Sequence, residues 1–191
     1  MRKIVFDLET SNFFHDVGSN DPAALDMSVV CIYDYEMDKY SSYTKETLKD
    51  LWPILEKADL LIGFNSDHFD IPLLNKYYSG DLTKIKSLDL MKEIKISLGR
   101  RIKLDTVAEA SLGKNKSGSG MDAPMWWKSG EKQKVIDYCI EDVKITKEVY
   151  EYALKNKSIK YFDSQGIKEL KIDVSKWEDK KDNKVTFTLP F

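Results

Sequence analysis

Apolar and polar residues alternate along residues 2–10, predicting a strand with Val5, Asp7 and Glu9 on one face and Ile4, Phe6 and Leu8 on the other. Residues 27–35 (MSVVCIYDY) predict a second strand and 39–43 a short third one after a turn at 36–38, together an antiparallel meander. Thr44 is expected to N-cap a helix, with Thr47 at its third position, that runs to about residue 57 despite Pro53. The unbroken apolar run over 59–64 predicts a strand buried on both faces, inside the sheet. A short helix carrying Leu73, Leu74 and Tyr77 follows, with Pro72 in its first turn, where no amide donor is needed. Residues 87–91 suit a strand end leading into a helix to about 98, and 102–113 repeat apolar residues at helical spacing up to a Gly113 cap.

Residues 131–155 give the clearest helix. At 100° per residue, Val135, Cys139, Val143, Thr146, Val149, Tyr150 and Ala153 form one stripe, and Lys134, Asp137, Glu141, Lys144, Glu148 and Glu151 fall opposite. From residue 158 the chain turns to alternating, Lys-rich stretches with a turn at 163–166. These predict a β-hairpin over 158–174 and a terminal strand or peptide over 185–191. The organisation expected is a main domain over 1–155 and a small extension over 156–191 that is too short to fold alone.

Four acidic residues, at three places in the chain, do not fit this pattern. Asp7 and Glu9 share one face of a strand whose apolar lead-in belongs mid-sheet, where a pair of carboxylates is costly unless something positive offsets it. Asp142 lies within the apolar stripe of the long helix, with Tyr138 one turn earlier on nearly the same edge, and a carboxylate on a buried face must be paired or bound to metal. Asp70 follows a central strand; it is either a helix cap or a third member of the same acidic site.

Residues 11–26, rich in Asn, Asp, Gly and Ser, read as an exposed loop whose Phe13, Phe14 and His15 either tuck beneath it or stack on bases. Trp126 and Trp127 have the same two readings, and His68 is read as a surface residue. Basic residues outnumber acids over 84–116 (Lys84, Lys86, Lys92, Lys95, Arg100, Arg101, Lys103, Lys114 and Lys116), which makes this either a solvated face or a phosphate contact. The loop over 114–120 is too irregular for a phosphate-cradling P-loop.

With 191 residues, 42% hydrophobic and 32% charged, the chain suits one core with a small appendage. A net charge of −2 excludes a globally basic coat, so any polyanion must meet a local basic surface. No apolar run nears the roughly 20 residues that span a bilayer, and the start of the chain lacks a signal-peptide pattern, so a cytoplasmic location without membrane association is expected. Cys31 and Cys139 lie far apart in apolar patterns and are expected to be buried, reduced thiols.

Taken together, Phe6-Asp7-Leu8-Glu9-Thr10, the segment from Asn65 to Asp70, and Tyr138-x3-Asp142 resemble, in this order, the three motifs of the DEDDy branch of the DnaQ-like 3′–5′ exonucleases. That branch includes the proofreading domains of family B DNA polymerases. The similarity spans about residues 2–155. Residues 104–114 are similar to the helix and Leu-Gly-x-Lys turn between the second and third motifs, although here Lys114 follows Gly113 directly.

The resemblance implies an α/β ribonuclease H-like fold: a mixed five-stranded sheet, three strands antiparallel and two parallel, flanked by helices. It implies metal-dependent hydrolysis from the 3′ end of single-stranded DNA or RNA, with two divalent cations, Mg²⁺ or Mn²⁺, about 4 Å apart in sites of this type. By the family pattern Asp7 bridges both ions, Asp70 and Asp142 complete one each, Glu9 ligates a metal and touches the terminal 3′-hydroxyl, and Tyr138 orients the attacking water. Asn65, Phe69, Leu8, Thr10 and Lys114 are implied as substrate contacts. Hard carboxylate oxygens suit those cations. An RNase H-like endonuclease or resolvase would share the acids without needing Tyr-x3-Asp, and a catalytically silent nucleic-acid-binding domain would share the fold. The C-terminal extension is a candidate dock for a polymerase, a helicase or a second copy of the chain.

Overall fold

The computed structural model describes residues 1–114 and 121–179. The loop expected over 114–120, beyond Lys114, and the terminal strand or peptide expected over 185–191 lie outside the described residues.

β1 (Lys3–Thr10), α1 (Phe14–Val17), β2 (Met27–Asp34), β3 (Lys39–Thr44), α2 (Leu48–Leu55), β4 (Leu60–Gly63), α3 (Asp70–Asn75) and β5 (Ser87–Asp89) make up the first half of the chain. The five strands form one sheet in the order β3-β2-β1-β4-β5. β1 pairs antiparallel with β2 and β2 with β3, whereas β1 with β4 and β4 with β5 are parallel. This is the expected mixed sheet, with β1 at its centre and both edges of β1 hydrogen-bonded.

The alternation along β1 divides the core in two. Val5 joins Val29, Cys31 and Ile62 on one face, beneath α5 (Leu104–Leu112) and α7 (Lys132–Asn156). Ile4, Phe6 and Leu8 join Val30 and Ile32 on the other, against Leu51 and Leu55 of α2 and Leu73 and Leu74 of α3. Each fully buried aliphatic side chain of this kind is worth about 1.5–3 kcal/mol, so the sheet is fixed from both sides. The stripe read from the sequence of α7 is the buried one: Val135, Cys139, Val143, Thr146, Val149, Tyr150 and Ala153 are all buried, joined by Ile145.

Several local expectations are corrected. Thr44 does not cap α2: it closes β3 opposite Val29, and Thr47 occupies the N-cap position, its hydroxyl accepting the Thr44 N–H at 2.9 Å. The segment over 11–26 is not loop throughout. It contains α1 and a 3₁₀ turn over Pro22–Ala24, and it buries Leu25 in the second core cluster. Trp126 and Trp127 lie on α6 (Ala123–Lys128), both half-buried against the first cluster.

After α7 comes the expected hairpin, β6 (Ser158–Asp163) and β7 (Gly166–Lys171). It is sewn to the main body: Ser111 Oγ of α5 accepts the Lys160 N–H at 2.8 Å and donates to the Lys160 carbonyl at 3.0 Å. Beyond it the chain folds back beneath the sheet. Trp177 is 4% exposed, belongs to the first core cluster and stacks on Tyr150 at 5.9 Å. Glu178 Oε1 accepts from Lys3 Nζ and from the Tyr150 hydroxyl, each at 2.7 Å. Lys86 Nζ donates to the carbonyls of Lys176, Trp177 and Asp179 at 2.9, 3.0 and 2.7 Å.

Candidate active site

β1 delivers Asp7 and Glu9 on its α7-facing side, and α7 crosses that face with Asp142 turned toward them. Carboxylate oxygens of Asp7, Glu9 and Asp142 lie within 4.8 Å of one another, and Glu9 and Asp142 are only 7% and 6% exposed. Three acids crowded in low dielectric cannot all ionise without a compensating charge. Their donor set is all hard oxygen, which suits a divalent cation such as Mg²⁺ or Mn²⁺. The triad can hold a metal ion.

Asp70 stands beside this triad rather than within it. It is the first residue of α3 and not its cap, which is Phe69. Its buried Oδ1 accepts the backbone N–H of Leu8 at 3.1 Å, tying the start of α3 to β1 between the two acids of that strand. Burial pushes the Asp70 carboxyl up to about 7; the Leu8 N–H works against this, and the nearby charges of Asp89 and Asp142 add to it. A cation at the triad would reverse that balance.

Tyr138 is buried one turn before Asp142, with its ring edge-on to Trp126 at 5.8 Å and 72°. Beneath the acids, the Cys139 thiol lies 3.4 Å from the Asp7 carbonyl and 3.7 Å from its Oδ2. Burial, then its neighbour Cys31, pushes this thiol well above its usual range, so it stays protonated and donates. Both cysteines are free and buried, as expected.

The turn after β4 holds the second motif. Gly63 is required there because a methyl group would run into the Ser66 side chain. Asn65 takes a left-handed φ of 67°, which Asn tolerates better than most residues, and its carbonyl accepts the Phe69 N–H at 3.0 Å. Asp89, which sequence reasoning passed over as one acid in a basic run, fixes this turn. Its Oδ1 accepts the N–H groups of Asn65 at 2.8 Å, Met91 at 3.0 Å and Lys92 at 3.2 Å, and Oδ2 accepts that of Asp67 at 3.2 Å. It therefore N-caps α4 (Leu90–Leu98) and holds the Asn65 turn with one side chain.

Glu9 and Tyr138 open onto a cleft of about 690 Å³ that is also lined by Leu8, Thr10, Asn65 and Phe69. Leu8 is otherwise buried in the second core cluster, and the Thr10 hydroxyl donates to the Asn12 carbonyl at 3.0 Å. Lys114 is placed elsewhere: its ammonium sits on Glu148 Oε1 at 2.7 Å and borders a separate hollow with Asp137 and Glu141. The aromatic residues after β1 divide the two roles considered for them. Phe14 tucks against the second core cluster, edge-on to Phe69, while Phe13 and exposed His15 stack on each other at 5.1 Å along the rim of the cleft.

A search of solved structures finds a similar fold in the family B DNA polymerase from the hyperthermophilic archaeon Pyrobaculum calidifontis, with a TM-score of 0.62 and 17% sequence identity. The match covers 81% of this chain but only 24% of that polymerase, so the chain spans about a quarter of its length. No curated protein sequence matches the chain. Among the described residues, no helix is long and apolar enough to cross a membrane. A family model described as the RNase_H superfamily matches residues 4–154, which hold the five-stranded sheet but for Lys3, the acidic triad and Asp70; the chain belongs to the RNase_H superfamily.

Proposed function

We propose that the chain is a metal-dependent 3′–5′ exonuclease of the DEDDy type, hydrolysing phosphodiester bonds at the 3′ end of single-stranded DNA or RNA. The observation that carries this reading is the convergence of the Asp7–Glu9–Asp142 triad with Tyr138, one turn from Asp142, beside a cleft of about 690 Å³. A triad of acids alone would suit many metal-dependent hydrolases. The buried phenol beside it is what an exonuclease of this branch needs.

Asp7, Glu9, Asp70 and Asp142 would hold two cations, Mg²⁺ or Mn²⁺. When bound, these supply Lewis acidity at the phosphoryl oxygens and lower the pKa of a bound water. Asp7, Glu9 and Asp142 would supply one cluster of ligand oxygens, and Asp70 would add its carboxylate from the start of α3. Glu9, at the cleft, faces the terminal 3′-hydroxyl. Tyr138 positions the attacking water by hydrogen bond, since an ordinary phenol, with a pKa of about 10, is a poor base unaided. Phe69 and Asn65, fixed through Asp89, support the terminal nucleotide.

The test is a time course on 5′-labelled single-stranded DNA and RNA of one sequence, in Mg²⁺ or Mn²⁺ against EDTA, beside Asp7→Ala. A metal-dependent ladder that shortens from the 3′ end and is absent in the variant supports the reading. Discrete internal cuts, or no cleavage by the wild type, reject it.

A further inference from the structure

We infer that Arg101 and Lys103 form a phosphate-binding wall of the cleft, which receives the sugar-phosphate backbone of a single strand upstream of its terminal nucleotide. The inference rests on the nuclease reading of this cleft and identifies how its substrate is held.

Four features of the segment over 99–104 produce the wall. Gly99 ends α4 in a left-handed conformation, φ 81°, and turns the chain toward the cleft. Ile102 is buried in the first core cluster, so its two neighbours, Arg101 and Lys103, are both exposed, and both line the cleft that holds Glu9 and Tyr138. Arg100 is drawn away, its guanidinium lying over the Tyr161 ring of the hairpin at 5.7 Å. Lys103 also precedes the first turn of α5 as its N-cap residue, and Leu104 borders the cleft, so the positive end of that nine-residue helix adds to the charge of the wall.

Their place in the cleft, with no carboxylate partner among the described residues, sets these two residues apart. Several other lysines of the basic run and the neighbouring surface are committed: Lys92 to Asp67, Lys114 to Glu148, Lys128 to Asp16, and Lys86 to three carbonyls, while exposed Lys95 lies on α4 outside the cleft. Arg101 and Lys103 form no ion pair with a carboxylate among the described residues, although Asp105 shares their wall. Two uncommitted cations line the same cleft as Glu9 and Tyr138, so the cleft carries charge of both signs. A strand fits such a cleft with its reacting phosphate at the acids and its next phosphates on the cations, while Phe13 and His15 offer a stacked face to the bases. Guanidinium and ammonium groups read phosphate without regard to base, so binding here is independent of sequence.

The experiment measures fluorescence anisotropy of labelled twelve-nucleotide oligothymidylate and oligouridylate in EDTA, so that nothing is cleaved, over a range of KCl concentrations. Wild type is compared with Arg101→Gln, Lys103→Gln, the double variant, and Lys95→Gln, which removes an exposed charge from α4 outside the cleft. For single strands the slope of log affinity against log salt is about 0.7 per neutralised phosphate. The double variant should therefore lose about 1.4 from the wild-type slope, each single variant about half of that, and Lys95→Gln nothing, on both the DNA and the RNA probe. An unchanged slope in the double variant, or an equal loss in Lys95→Gln, overturns the wall, as does a wild type that binds neither probe. The cleavage time course on the same oligonucleotides separates the two claims. A 3′ ladder without a slope change removes the wall and keeps the exonuclease; a slope change without a ladder does the reverse.

Discussion

Asp89 Oδ1 accepts the backbone N–H of Asn65 at 2.8 Å across 24 residues of sequence, joining the end of β5 to the turn that follows β4. This buried carboxylate satisfies four backbone amides, which places the second motif against β1 and starts α4 in the same act. Removing it leaves buried N–H groups without a partner and strips a helix cap. Asp89→Ala should destabilise the protein by about 2–4 kcal/mol, from the usual costs of a lost cap and of unsatisfied buried donors. Asp89→Asn, which keeps one carbonyl oxygen, should recover part of that loss. Urea denaturation of both variants measures it, and an Asp89→Ala midpoint equal to wild type would remove Asp89 from this role.

Asp70 makes the metal-free protein sensitive to pH. Its carboxyl is pushed up to about 7 by burial, against roughly 3.9 in an unfolded chain. Between those values the native state holds a proton that the unfolded state has released, so the contribution of this group to stability falls as pH rises from about 4 to 7 and is level above that. In EDTA, thermal unfolding should show this decline, and Asp70→Asn should flatten it. Mg²⁺ or Mn²⁺ should raise the wild-type midpoint more at pH 8 than at pH 5.5. A decline of equal slope in the variant would assign the effect to other groups.

Trp177 makes the tail of the described chain part of the core. Its ring is buried on Tyr150, its Nε1 donates to Glu93 at 3.2 Å, and the adjoining carbonyls enclose the Lys86 ammonium. Trp177→Ala should cost about 3–5 kcal/mol, the range for a large aromatic removed from a core. Chemical denaturation followed by circular dichroism should show one shifted transition. A separate early transition confined to the extension would mean that the tail is an independent appendage.

Phe13 and Phe14 are neighbours in sequence but should respond differently. Phe14 packs on Phe69 and the second core cluster, so Phe14→Ala should lower the unfolding midpoint. Phe13 stacks with His15 at the cleft and carries Lys128 over its ring at 5.1 Å. Phe13→Ala should leave stability near wild type and weaken oligonucleotide binding by about 1–3 kcal/mol, the usual cost of a lost base-stacking ring, without changing the salt slope. Equal affinity in the two proteins would place the bases elsewhere.

The parts of this fold legible in the sequence were those set by short-range periodicity. The alternation along β1 put Asp7 and Glu9 on one face, and the helical stripe put Asp142 on a buried one, so the triad could be read before its distances were known. Where two local signals compete, tertiary pairing decides. Thr44 and Thr47 are both good caps, and only the pairing of Thr44 with Val29 settles which one serves α2. The six residues of α6 are too few to show a period. Asp89 was hidden because half of its bonds are local capping, which any Asp can offer, and the other half cross to a turn two elements earlier. The basic run over 84–116 was legible as charge, but which of its cations stay uncommitted depends on partners as distant as Glu148 and the carbonyls around Trp177.

The most direct test of the account is to offer the protein, with Mn²⁺ or Mg²⁺, a circular single-stranded DNA and the same DNA linearised, with Asp142→Asn as control. The proposed exonuclease role of the four acids and Tyr138, with the 3′ end seated at Glu9, predicts that the linear strand is consumed to mononucleotides and the circle is left intact, with neither touched by the variant. Nicking of the circle at a rate comparable to loss of the linear strand would contradict the account and make this an endonuclease.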